Sequence, residues 1–152
     1  SALCANDNIL RVVVTPGARP GLPVTAQLEP LGAYLPLVLD ARTGPTNATA
    51  RLDLLRLPGQ DRVFVDGVVP AGGAAVTEEI TVPSPALYFG ELLKLALSRR
   101  GVTVTGGVRE VDWRERVREP LKPEAWRELG TVTSPPLGDV VREMMKPSQN
   151  LY

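Results

Sequence analysis

Ser148 and Asn150 place a hydroxyl and a carboxamide two residues apart, directly after Pro147. Both groups donate and accept hydrogen bonds. Pro147 must end the helix that the preceding residues predict, so Ser148, Gln149 and Asn150 fall on a short loop fixed to a packed element. Such loops are where catalytic side chains are held still. A Ser-x-Asn tripeptide also arises by chance, and a plain turn pair after a helix is the competing reading. The rest of the chain offers less. Histidine is absent and Cys4 is the single cysteine, which removes the usual transition-metal ligands and any intrachain disulfide, and no metal or cofactor is expected. Asp61, Asp66, Glu78 and Glu79 read as solvated strand and turn charges rather than an acid/base pair. Arg42-Thr43-Gly44 reads as a turn at a strand end, and Asn47-Ala48-Thr49 fits a glycosylation sequon of a kind common by chance.

The elements that must position these groups are legible in outline. Apolar runs over 9–15, 24–28, 35–39, 51–57, 63–69, 76–82 and 102–108 predict short strands, punctuated by Pro16-Gly17, Pro58-Gly59 and Gly72-Gly73. The run from Ile9 through Val12 to Val14 is almost continuously apolar, whereas Arg51-Leu52-Asp53-Leu54 alternates like a half-exposed strand. Asp66-Gly67 fits one continuous strand with a bulge or close approach at Gly67 better than a hairpin turn, because the arms are too short. Two helices are predicted. In the first, near 85–100, Ser84 caps, Pro85 takes the first helical position, and Phe89, Leu92, Leu93, Ala96 and Leu97 recur at the spacing of one buried face. Arg99 and Arg100 suit its negative end and Gly101 stops it. The second, near 136–146, would bury Leu137, Val140, Val141, Met144 and Met145. Between them, 112–129 is charged and reads as a solvated connector pinned by Trp113 and Trp126. The fold class is α+β with mostly β content.

Composition sets the frame. The chain has 152 residues, 43% hydrophobic and 22% charged, enough apolar mass for a real core. Seventeen basic residues balance seventeen acidic ones, so no global field favours nucleic acid or an anionic membrane. No apolar run approaches the roughly 20 residues that span a bilayer, and Ser1 to Asn8 lack the pattern of a signal peptide.

The last nineteen residues, from Ser134-Pro-Pro-Leu through the predicted helix to Ser148-Gln-Asn-Leu-Tyr152, resemble the segment with which class C penicillin-binding proteins re-enter their catalytic domain. The likeness extends backward. Ser1-Ala-Leu-Cys-Ala-Asn-Asp-Asn8 with a strand and Pro16-Gly17 is similar to that family's lead into its inserted domains. Val65-Asp-Gly-Val-Val-Pro70 resembles a strand-Gly-strand-Pro element of the insertion, and 85–108 resembles the helix and Gly-rich strand that close it.

This resemblance implies a D-alanyl-D-alanine carboxypeptidase/endopeptidase of the bacterial cell envelope. The parent would act on peptidoglycan stem peptides through an acyl-enzyme and react with β-lactams, with no nucleic-acid partner and no transmembrane segment in this chain. Ser148 and Asn150 would belong to the second of three active-site motifs, Ser-x-x-Lys, Ser-x-Asn and Lys-Thr-Gly. Ser148 would relay a proton between the motif lysine and the leaving amine, and Asn150 would hold substrate and lysine in register. The first and third motifs are not here. The residues three before Lys94, Lys122 and Lys146 are Glu91, Glu119 and Glu143, and none of these lysines begins Lys-Thr-Gly. The chain is therefore expected to be an internal part of its parent and inactive alone. It would comprise an inserted β-rich domain at 1–111, a connector at 112–133 and the start of the returning catalytic domain at 134–152. An incomplete sheet would leave an edge open to dimerisation. The alternative is a free-standing β-rich binding or assembly module in which Ser148 to Asn150 is coincidence.

Overall fold

The computed structural model describes residues 4–30, 35–120, 122, 124, 126–128 and 130–145. Its elements are β1 (Ile9–Thr15), β2 (Thr25–Glu29), β3 (Leu37–Leu39), β4 (Arg42–Gly44), β5 (Arg51–Leu55), β6 (Val63–Pro70), β7 (Val76–Thr81), α1 (Pro85–Ser98), α2 (Trp113–Arg118) and α3 (Leu137–Met145). This is an α+β fold in which every described strand precedes the first α-helix. Contacts divide the chain into two units, Ala2–Val108 and Arg109–Tyr152.

In the first unit β1 is the centre of an antiparallel sheet, flanked by β2 and β7. Although its sequence is apolar almost throughout, it obeys a period of two. Leu10, Val12 and Val14 are fully buried, while Arg11 and Thr15 are exposed. Arg11 stands opposite Glu29 on one side and Glu79 on the other, and its Nε lies 3.3 Å from Glu79 Oε1. Just before β1, Asn6, Asp7 and Asn8 all have positive φ, between 49° and 56°. Asn and Asp are the side-chain-bearing residues that tolerate this region, because their short polar groups bond locally. Asn8 Oδ1 accepts from the Ala5 N–H at 3.3 Å, and Asn6 Nδ2 donates to the Tyr88 hydroxyl at 3.1 Å.

The second sheet is built around β6. Val65 pairs with both Leu39 and Leu54, and Val68 with both Arg42 and Arg51. A strand residue has two lateral sides, so β3 and β4 share the edge opposite β5. They are parallel to β6 and separated by a bulge, where the Asp40 and Ala41 N–H groups both donate to the Val65 carbonyl at 2.9 Å. The expectation for Asp66-Gly67 holds: β6 runs straight through it, with Gly67 at a φ of 132°. Arg42-Thr43-Gly44, expected to be a turn, is strand β4. Three residues are too few for a period-two pattern, and a parallel partner distant in sequence supplies the pairing.

The two sheets close on each other. Along one seam Gly21 N–H donates to Thr43 O at 2.9 Å, Thr43 N–H to Leu22 O at 3.4 Å, and Pro23 bridges Arg42. Along the other, Arg56 Nη2 reaches Thr81 O at 3.4 Å. Their inner faces share one core, in which Leu10, Val12 and Val14 meet Val63, Val65 and Val69, with Leu52, Val82 and Tyr88.

α1 begins as expected. The Ser84 Oγ accepts from Leu87 N–H at 3.2 Å, with Pro85 in the first turn. It ends in paired bonds, Val102 N–H to Leu97 O and Gly101 N–H to Ser98 O, both 3.0 Å, the pattern of a Schellman end. The expected buried face is displaced. Tyr88 is the fully buried residue, Leu92 packs on the core, and Leu93 is 49% exposed. The helix is apolar on nearly all sides, so periodicity alone does not select the face that meets the sheet. The strand expected at 102–108 is absent. This segment leaves the helix end and turns back along α1, pairing with no strand.

In the second unit, the stretch read as a connector contains α2, closed by a capping box in which Asp112 Oδ1 accepts from Glu115 N–H at 2.8 Å and Glu115 Oε2 from Asp112 N–H at 3.1 Å. Trp113 and Trp126 are not anchors here, being 69% and 62% exposed. The Arg114 guanidinium lies 5.4 Å from the Trp113 ring centroid. No helix among the described residues is long and apolar enough to cross a membrane.

Candidate functional site

α3 is the last described element before the Ser-x-Asn tripeptide in the sequence. Its first turn is set by the Pro136 carbonyl, which accepts from the Asp139 N–H at 2.9 Å and the Val140 N–H at 3.2 Å. Arg142 Nη1 lies 2.6 Å from Asp139 Oδ1, a contact one turn apart on the polar side of the helix. The apolar side was expected to be buried and is not. Val140 and Met144 are half-buried, whereas Leu137, Val141 and Met145 are 77%, 43% and 70% exposed. The residues have the right spacing, but no residue of this helix is buried. Ser148, Gln149 and Asn150 lie outside the described residues.

The other candidates resolve into structural roles. Thr43 is 3% exposed, and its Oγ1 accepts from the Gly17 N–H at 2.9 Å, so this hydroxyl ties the loop after β1 to β4. Glu79 is paired with Arg11. Asp66 Oδ1 accepts from the following Gly67 N–H at 2.7 Å. Glu78 lies opposite Val12 on the inner side of β7, yet it is exposed, and a charge turned inward on a peripheral strand discourages further pairing. Asp61 is exposed beside Gln60 and Arg62. These placements agree with solvated charges.

One pair of carboxylates was not foreseen. Asp53 and Asp66 are direct cross-strand partners on β5 and β6. Like charges so placed repel. Each carries its own compensation, Asp66 through the Gly67 N–H and Asp53 through Arg51 Nε at 3.1 Å. The signal was available, since counting outward from the Pro58-Gly59 turn places 53 near 66. An open recess also lies beside the left-handed turn, lined by Asn6, Asp7, Ile9, Arg11, Glu29 and Glu79. Its charges include the Arg11–Glu79 pair.

These elements form an α+β fold shared with penicillin-binding proteins. Penicillin binding protein 4 from Haemophilus influenzae is similar over 99% of this chain and 31% of its own, with a TM-score of 0.69 at 20% sequence identity. The same protein complexed with a novel beta-lactam gives a TM-score of 0.67 at 20% identity, over 99% of this chain and 33% of its own. That likeness is one of fold. Sequence adds more: the D-alanyl-D-alanine carboxypeptidase of Actinomadura sp. (strain R39) is 33% identical over 134 residues, 86% of this chain. The model of the D-Ala-D-Ala carboxypeptidase 3 (S13) family matches residues 1–152, and the chain belongs to that family. It spans 24% of the length of the Actinomadura relative.

Proposed function

We propose that this chain is the cleft-wall insertion, with the first segment of the returning catalytic domain, of a serine-type D-Ala-D-Ala carboxypeptidase/endopeptidase. The observation that carries this reading is the family match across residues 1–152, which favours a hydrolase parent over a free-standing binding module. In this reading 1–111 is the inserted domain, 112–133 the connector and 134–152 the return. The parent works outside the cytoplasmic membrane on peptidoglycan stem peptides, and β-lactams acylate it.

In the reaction, a serine supplied by the rest of the parent attacks the carbonyl of the penultimate D-alanine. The bond to the terminal D-alanine breaks, its nitrogen takes up a proton and leaves, and water later hydrolyses the ester. The Ser148 hydroxyl relays that proton from the motif lysine, which also lies elsewhere in the parent. The Asn150 carboxamide holds the substrate peptide and the lysine in register. Because Lys94, Lys122 and Lys146 stand three residues after glutamates, the chain alone carries no activated serine. Edge pairing of two copies draws little support from a unit whose sheets are joined along both seams, with Glu78 turned inward on β7.

The test is covalent labelling. The complete protein, incubated with a labelled penicillin, gains one penicilloyl group by mass spectrometry, and the 152-residue chain alone gains none. A stoichiometric adduct on the isolated chain would overturn the assignment.

A further inference from the structure

The segment 102–108 was expected to be a strand and instead lies on α1, held at two points. A Cβ built on Gly90 would meet Val108 Cγ1 at 2.4 Å and its Cβ at 3.6 Å, so the Val108 side chain occupies the space that any other residue would fill. One turn further along the helix, Lys94 Nζ donates to the Gly106 carbonyl at 2.8 Å. Val108 is half-buried while 102–107 are exposed. Those seven residues have no strand partner, so these two contacts and the helix-end bonds of Val102 and Gly101 are what set the course of the segment.

We propose that 102–108 is a latched strap, with Val108 seated in the notch at Gly90 and Gly106 tied to Lys94, and that the latch fixes where the chain leaves the β-rich unit. Gly90, Val108 and Lys94 are then positioning residues for the segment that follows. Normal carbon–carbon contact is about 3.5–4.0 Å, so even an alanine methyl at 90 displaces the Val108 Cγ1 from the notch and loosens its seat. Alanine also favours the helix more than glycine does, so the displacement occurs with α1 intact. The positioning role rests on the proposed function, whereas the latch itself does not.

The experiment uses the complete protein and three changes: Gly90→Ala, Gly90→Ala with Val108→Ala, and Lys94→Met. Limited trypsin digestion is followed by mass spectrometry at the bonds after Arg100 and Arg109, beside thermal melts and the rate of acylation by a labelled penicillin. Cleavage at a locally opened segment tracks the population of the open form, and loss of one anchor raises it roughly tenfold. Gly90→Ala and Lys94→Met are expected to cut faster and acylate more slowly at an unchanged melting temperature, with the double change returning toward the parent rate. Unchanged cleavage in both single variants overturns the latch. Faster cleavage with unchanged acylation overturns the positioning role. If the unmodified protein takes no penicillin, the proposed function fails and cleavage alone judges the latch.

Discussion

Gly67 on β6 lies so close to β5 that a Cβ built on it would sit 2.1 Å from the Arg51 carbonyl oxygen. Its φ of 132° is one that side-chain-bearing residues rarely adopt. The contact lies in the middle of the strand that carries Val63, Val65 and Val69 into the core. Gly67→Ala should therefore combine backbone strain with a steric shift of β5 and cost roughly 2–4 kcal/mol. Urea unfolding of the wild type and the variant measures it, and a change below about 0.5 kcal/mol would show that β5 and β6 separate easily.

The second prediction sets Tyr88 against Leu93, which lie five residues apart on α1. Tyr88 is fully buried and its hydroxyl accepts from Asn6, so Tyr88→Ala should cost about 3–5 kcal/mol and Tyr88→Phe about 1 kcal/mol. Leu93 is 49% exposed, and Leu93→Ala should cost less than about 1 kcal/mol. Thermal melts of the three variants decide it. A larger shift for Leu93→Ala than for Tyr88→Ala would return the core face to the side suggested by periodicity.

These contrasts show which parts of the fold were legible in the residues. The ends of α1 were, because Ser84, Pro85 and Gly101 act on neighbouring backbone. Its buried face was not, since Tyr88, Leu92 and Leu93 are all apolar and the choice depends on where the sheet lies. β1 and β6 were legible as valine-rich runs. β4 was not, because three residues carry no period and its parallel partner is distant in sequence. The run at 102–108 has the composition of a strand, but a strand needs an unpaired neighbour, and this segment meets a helix. Ser148 and Asn150 stood out only through their flanks, Ser134-Pro-Pro-Leu before the helix and Leu151-Tyr152 after it.

A third prediction concerns the facing carboxylates. Asp66→Asn keeps an oxygen that can accept from the Gly67 N–H and removes the like charge opposite Asp53. The change should be neutral or stabilise by up to about 0.5 kcal/mol. A loss of more than about 1 kcal/mol in urea unfolding would mean that the charge on Asp66 has a partner worth keeping.

The central claim is that Ser148 and Asn150 are working parts of a penicillin-binding active site in the complete protein. The direct measurement is the acylation rate with a labelled β-lactam for Ser148→Ala, Gln149→Ala and Asn150→Ala, each beside a thermal melt. Removing a positioned proton-transfer or hydrogen-bonding group typically costs on the order of 10²-fold or more. Ser148→Ala and Asn150→Ala are expected to lose about that much with melting temperatures unchanged, and Gln149→Ala much less, because no role falls to its side chain. If Ser148→Ala and Asn150→Ala acylate as fast as the unmodified protein, the tripeptide is a plain turn after a helix and the assignment of the site is wrong.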